Sequence, residues 1–261
     1  MRIGFAGAGN MAAAMARGWA THDEGEEPVA ESMAFADAGS GRARELADEV
    51  GGDAVSGVTE LPDRSDVIVL AVKPRALTDI ANELGDELPP LISVLAGVRV
   101  AQLTEVFPDT PVLRAMPNIA VEVRRGVICH VPGGGGLEDE REQALVGLLG
   151  HLGTLCAIDE DSIDAATAVM SCSPAYIALV AEALADAGAR ARLSAPLAHE
   201  LVVHSLAGTA ELLGARDPEA IRRAVASPGG ATEAGLAALA ERDLEAAIHQ
   251  AVAASLERMR G

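Results

Sequence analysis

The sequence predicts an α/β fold in two parts, a doubly wound sheet built from parallel βαβ units and then an all-helical region. Three observations carry this. Short β-rich runs alternate with helical stretches through the first half, apolar residues recur only at helical spacing from about residue 163, and a glycine turn stands directly after the first β-rich run. Alternating strand and helix is the pattern of a parallel sheet. The expected division is 1–158 for the sheet domain and 159–261 for the helical domain.

Taken in order, strands are expected at 2–6, 33–36, 67–71, 91–95, 112–115, 127–130 and 154–157. Helices fit the amphipathic stretches 10–20, 40–50, 75–84 and 138–149 between them. In the second half Tyr176, Leu179, Val180, Ala183 and Leu184 share one helical face. Helix breaks fall at Ser173-Pro174, Ser194-Ala195-Pro196, Asp217-Pro218 and Ser227-Pro228-Gly229-Gly230, because proline or glycine closes one helix before the next begins. Several of these helices are too apolar for the surface of a small monomer. Packing against a second subunit explains this more economically than a single helical layer buried on the sheet.

Composition narrows the function. A net charge of −19 argues against nucleic acid or an anionic membrane as partner, since both would be repelled. No run of eighteen apolar residues occurs and the chain enters a strand pattern directly after Met1, so neither a membrane span nor a signal peptide is expected, and the protein is placed in the cytoplasm. Cys129, Cys156 and Cys172 form no CxxC pair and sit in apolar surroundings, which reads as reduced thiols, with no metal site. Aromatic residues make up 2% of the chain, so any site must rely on backbone groups and small side chains.

The segment Gly7-Ala8-Gly9-Asn10-Met11 is a glycine turn between a strand and a helix. Gly7 and Gly9 permit a tight turn and let a pyrophosphate approach the N–H groups at the helix N-terminus. Ala12 stands where the third glycine of the fingerprint would be, a substitution the motif accepts. Dinucleotide binding is therefore expected. Asp37, at the end of the second β-rich run, would hold the ribose of NAD, whereas Ser40 and Arg42 just after it would suit the 2′-phosphate of NADP. Both remain open, so the cofactor is NADPH or NADH, with NADH expected to serve at least as well because Asp37 would face the ribose.

The run 67–71 leads through Ala71-Val72 into Lys73-Pro74, placing the only lysine of the chain where open α/β sheets bind ligands. A solvated loop lysine is the plain alternative to a role at the ribose or phosphate edge. Ala96-Gly97 and Met116-Pro117-Asn118 follow later strands onto the same rim, where small residues leave room for a nicotinamide. The second distinctive segment is Ser227-Pro228-Gly229-Gly230-Ala231-Thr232, a glycine turn opening a helix. It fits either a helix start capped by Thr232 or a carboxylate site made of free N–H groups, with the Thr232 hydroxyl beside it.

Together these segments resemble pyrroline-5-carboxylate reductase over essentially the whole chain. The resemblance is carried by Gly7-Ala8-Gly9-Asn10-Met11, Ala71-Val72-Lys73-Pro74, Ala96-Gly97-Val98, Arg114-Ala115-Met116-Pro117-Asn118, Pro174-Ala175-Tyr176, Ala185-Asp186-Ala187-Gly188 and Ser227 to Thr232. It implies a Rossmann domain followed by a helical domain that intertwines with a partner, giving a homodimer or a larger homo-oligomer. It also implies reduction of a small cyclic imine to proline by NAD(P)H, in a site between the nicotinamide and the Ser227, Gly229, Gly230, Ala231 and Thr232 loop, with Thr232 as the catalytic donor. Two departures stand out. Ser171-Cys172-Ser173-Pro174 replaces the family's Ser-Gly-Ser-Gly-Pro, and Ile119 stands where threonine is common.

Three rival readings arise. A dehydrogenase of the β-hydroxyacid type needs a catalytic lysine in its helical domain, and the only lysine here is Lys73. A dinucleotide-binding protein that has lost turnover is the second, with Cys172 as its main support; a reductase of another cyclic imine is a third variant.

Overall fold

A computed structural model describes residues 1–21 and 28–260. Among them, β1 (Arg2–Ala6), β2 (Ser32–Ala36), β3 (Asp53–Ala54), β4 (Val67–Leu70), β5 (Leu91–Ser93), β6 (Val112–Pro117), β7 (Gly126–His130) and β8 (Gly153–Ala157) form one sheet. The order is β3-β2-β1-β4-β5-β6-β7-β8, so the first six strands have the 3-2-1-4-5-6 arrangement of a Rossmann sheet. The sheet is packed by α1 (Asn10–Ala20), α2 (Arg42–Val50), α3 (Leu61–Arg64), α4 (Leu77–Leu84), α5 (Val100–Val106), α6 (Asp139–Gly150) and α7 (Ile163–Met170). The helical part is α8 (Ser173–Arg190), α9 (Ala195–Ala215), α10 (Pro218–Val225), α11 (Ala231–Ala240) and α12 (Leu244–Arg260).

Pairing is parallel from β3 through β6, as the alternation of elements predicts. β7 departs from this by running antiparallel to β6. Between them lies only one 3-10 stretch, Ile119–Val123, and a parallel return needs a crossover of about a dozen residues or more. The two-residue β3 goes unexpected because it is too short to show a period.

Alternate residues of one strand feed the two faces of the sheet. Val67 and Val69 join a core with Ile3, Phe5, Phe35 and the apolar faces of α1, α2 and α6, whereas Ile68 and Leu70 join a second core with α3, α4 and α5. Burial on both faces is why these strands read as continuous apolar runs. In the first core Phe5 stacks on Phe35 at 4.9 Å between ring centroids. Trp19 is 1% exposed, and its indole N–H donates to the Leu148 carbonyl at 2.9 Å, so its one polar atom is satisfied inside the core.

The chain divides into two compact units, Met1–Cys172 with the C-terminal residues from Arg258, and Ser173–Glu257. The 3-10 stretch Glu160–Ser162 and α7 belong to the first of these units. In the second unit α8 packs against α9, and the Tyr176 hydroxyl shares a 2.7 Å hydrogen bond with Ser255 of α12. The four expected helix breaks fall where proline and glycine predict them, and a further one, Glu241-Arg242-Asp243 between α11 and α12, has neither. The stretch Glu160–Arg190 holds an 18-residue window of mean hydropathy 1.5 that is only 6% buried within one chain.

Candidate active site

The carboxyl ends of β1 and β4 lie side by side where the strand order reverses, which is where open sheets bind ligands. Gly7 leaves β1 with φ of 105°, and a Cβ there would lie 2.7 Å from the Ala71 carbonyl oxygen. Any side chain would fill the cradle. Gly9 is the N-cap of α1 and no side chain caps it, so the N–H groups of the first turn, Asn10, Met11 and Ala12, are unmet by the helix. These groups and the helix dipole suit a pyrophosphate. Ala12 is fully buried against the sheet, the close packing that the third glycine would otherwise allow.

Asp37 follows β2, half-buried. Its Oδ1 accepts the Gly39 N–H at 2.8 Å, and its Oδ2 accepts the Ser40 hydroxyl at 2.7 Å and the Ala43 N–H at 3.0 Å. The Ser40 bond, joined by those backbone donors, holds the carboxyl below the usual carboxylate range against the opposing effect of burial. Asp37 thus ties the loop to the start of α2. Arg42, first residue of α2, is exposed and has no ion-pair partner among the described residues.

Lys73 is exposed at the mouth of the crevice and likewise lacks an ion-pair partner among the described residues; Ala71 and Val72 are half-buried beside it, and Pro74 opens a 3-10 turn. Ala96 is exposed on the turn after β5. Asn118 is different. It is 8% exposed, its amide donates to the Met170 carbonyl at 3.1 Å, and its Oδ1 accepts the Val127 N–H at 3.1 Å. Asn118 therefore clasps the end of β6 to β7 and α7. Beside it the Ser171 hydroxyl donates to the Pro117 carbonyl at 3.1 Å.

Sequence reasoning gave Arg114 no role beyond the motif. It is 2% exposed, in the middle of β6, and its guanidinium pairs with Glu160 at 2.8 Å and Asp164 at 3.6 Å. Glu160 also accepts the Val100 N–H at the start of α5 at 2.6 Å. The signal was present, because arginine inside an apolar strand requires a buried partner.

The second unit holds the other predicted segment. Gly230, not Thr232, is the N-cap of α11, which corrects the capping alternative. Thr232 is the second residue of the helix, exposed, with no capping bond. Gly229 has φ of 70° and its N–H donates to the Glu233 carboxylate at 2.7 Å, while the Gly230 N–H donates to the Ser227 carbonyl at 2.9 Å. Two expected anion donors are therefore engaged within the loop. The N–H groups of Ala231, Thr232 and Glu233, in the first turn, have no intrahelical partner.

A Rossmann sheet with an uncapped glycine turn at its switch point, followed by a helical unit, defines the class: an NAD(P)H-dependent oxidoreductase. Residues 2–97 match the family description "NADP oxidoreductase coenzyme F420-dependent", and residues 160–261 match "Pyrroline-5-carboxylate reductase dimerisation". The chain is 34% identical over 268 residues to a pyrroline-5-carboxylate reductase of Thermus thermophilus, covering 99% of this chain and 97% of that one. It is 34% identical over 264 residues to that of Pseudomonas aeruginosa, covering 98% and 95%. The solved 1-pyrroline-5-carboxylate reductase of Streptococcus pyogenes superposes with a TM-score of 0.88 at 28% identity, covering 100% of this chain and 98% of that one. The Plasmodium falciparum pyrroline carboxylate reductase with NADP bound gives 0.87 at 26%, covering 100% and 97%. The chain belongs to the pyrroline-5-carboxylate reductase family.

Proposed function

We propose that this chain reduces 1-pyrroline-5-carboxylate to L-proline, with residues 1–158 holding NAD(P)H and residues 159–261 holding the substrate and a second subunit. The observation that carries the substrate assignment is the start of α11, where unmet first-turn N–H groups stand beside the spare hydroxyl of Thr232. They suit a carboxylate and a ring nitrogen respectively. NAD(P)H supplies the hydride when bound. The imine carbon takes that hydride and its π electrons pass to a nitrogen that is already protonated, whose N–H donates to the Thr232 Oγ in place of the donor role expected of that hydroxyl, so no strong acid–base pair is needed. The chain's own contribution is orientation: Gly7, Gly9, Asn10 and Met11 at the pyrophosphate, Lys73 with Ala71, Val72 and Pro74 at the ribose edge, Ala96 and Asn118 on the nicotinamide rim, and Ser227 to Thr232 at the substrate.

Cofactor choice is assigned to the loop after β2. Asp37 already accepts three donors within the loop, the Ser40 hydroxyl among them, while the exposed Arg42 stands next to it. This favours a 2′-phosphate, hence NADPH over NADH. Exposed Ile177, Leu184, Leu197, Leu201 and Leu239 of the helical unit favour a homodimer or larger homo-oligomer in which these residues are covered. Free Cys129, Cys156 and Cys172 suit the reducing cytoplasm.

The decisive experiment supplies purified protein with 1-pyrroline-5-carboxylate and each cofactor and measures proline formed. Turnover with cofactor oxidation matched to proline is expected. Cofactor binding without turnover would support the dinucleotide-binding reading instead.

A further inference from the structure

We propose that Met116, Cys129 and Cys156 form a binding site for a soft monovalent metal ion, copper(I) or silver(I). Strand register brings the three together. Cys129 of β7 stands opposite Met116 of β6 in one pairing and opposite Cys156 of β8 in the other, so three sulfur-bearing side chains form a row across adjacent strands. Residues paired directly project from the same face of a sheet. Ile128 and Leu155, one position earlier on β7 and β8, pack into the core shared with α1 and α6. Met116, Cys129 and Cys156 lie on the opposite face, where they pack with Ile163, Ala166 and Met170 of α7.

The spacing suits a bridging ion better than a bond between the thiols, which are free. Neighbouring strands lie about 4.8 Å apart, and two metal–thiolate bonds of about 2.3 Å laid end to end span roughly 4.6 Å. A disulfide wants its Cβ atoms at about 3.8 Å, closer than paired parallel strands bring them. Thiolate and thioether sulfurs are soft donors that select copper(I). Among the described residues no three of His, Cys, Asp and Glu are grouped to hold a metal, so a tetrahedral zinc site is not on offer. Two thiolates and a thioether match the low coordination number of a soft monovalent ion instead.

Access comes from one end of the row. Cys129 and Met116 are buried, whereas Cys156 is half-buried on β8 at the edge of the sheet. Binding replaces two S–H bonds by two metal–sulfur bonds and releases both protons to solvent, with no change of oxidation state. Chain spacing alone reads these cysteines as carrying no metal, because register between β7 and β8 is invisible in it.

The test titrates copper(I) anaerobically into the reduced, NADPH-saturated protein, with bathocuproine disulfonate as a coloured competitor. One ion per chain should be withheld from the chelator, and X-ray absorption at the copper edge should show sulfur neighbours only. Cys129→Ala and Cys156→Ser should each weaken binding at least tenfold, and Met116→Leu, which keeps the volume of the core, several-fold. Cys156→Ser, at the half-buried position, keeps the test open if the core variant misfolds, and copper(I) should raise the Tm of wild type but not of Cys156→Ser. Cys172→Ser should bind as wild type does. Failure to withhold one ion, nitrogen or oxygen neighbours at copper, unchanged affinity in Cys156→Ser, or loss of binding in Cys172→Ser would overturn the proposal. None of these outcomes depends on imine turnover, so this site and the proposed reaction fail separately.

Discussion

Thr232 is the residue on which the chemistry turns. It occupies the second position of α11 and caps nothing, so removing its hydroxyl should touch catalysis and leave folding alone. We expect Thr232→Ala to lower kcat/KM for the imine roughly ten- to a hundredfold, the worth of a hydrogen bond to a charged group at about 1.5 to 3 kcal/mol, with Tm and cofactor KM unchanged. Normal turnover by a less stable protein would return Thr232 to a structural role. At the other end of the cofactor, Arg42→Ala should abolish the preference for NADPH, read as the ratio of kcat/KM for the two cofactors; a preference that survives would exonerate Arg42. Asp37 makes a prediction about pH. Its carboxyl is held below the ordinary range, chiefly by Ser40, so the folded state favours the ionised form. Its contribution to stability is full above the unfolded carboxyl range, near pH 4, and fades as pH falls through the lowered folded value. The Tm of wild type and Asp37→Asn should therefore differ at pH 7 and converge in acid; parallel curves would contradict this.

Among the elements, α7 is fixed to β6 by groups that share the strand's polar minority. Arg114 reaches Glu160 and Asp164, Asn118 reaches Met170, and Ser171 reaches Pro117. Removing Glu160 leaves the buried Arg114 guanidinium only Asp164 at 3.6 Å, so Glu160→Ala should destabilise by about 1 to 3 kcal/mol. The double variant Arg114→Met with Glu160→Leu should lose less than the single one. A single variant that melts within a degree of wild type would show the pair to be dispensable. Most elements were legible, because the longer strands of the parallel core are apolar runs bounded by turn residues and the breaks before α8, α9, α10 and α11 carry proline or glycine; the break between α11 and α12 at Glu241-Arg242-Asp243 carries neither. The antiparallel entry of β7 was not, since strand direction depends on the length and path of the connection and not on the strand's own residues. The glycine cradle was legible because φ and close approach at Gly7 exclude other residues. The engaged state of Asp37, and of the Gly229 and Gly230 N–H groups, was hidden: a short polar side chain serves a ligand or its own loop with the same sequence.

At the scale of the molecule, charge and aromatic content matter most. A net charge of −19 repels itself in any compact state, and counterions screen it over a Debye length of about 10 Å at 0.1 M salt. Raising KCl should raise Tm; a flat or falling Tm would mean that the excess carboxylates are spread too widely to repel one another appreciably. The distribution of aromatic residues has an optical consequence. Trp19 is the only tryptophan and lies in the core of the sheet unit, with its indole tethered to Leu148, whereas Tyr176 is the only aromatic residue of the helical unit. Tryptophan emission therefore watches the nucleotide-binding half alone, starting one helix length from the glycine turn, and tyrosine absorbance watches the other half. Two native chromophores, one per unit, allow the unfolding of each half to be followed in the unlabelled protein.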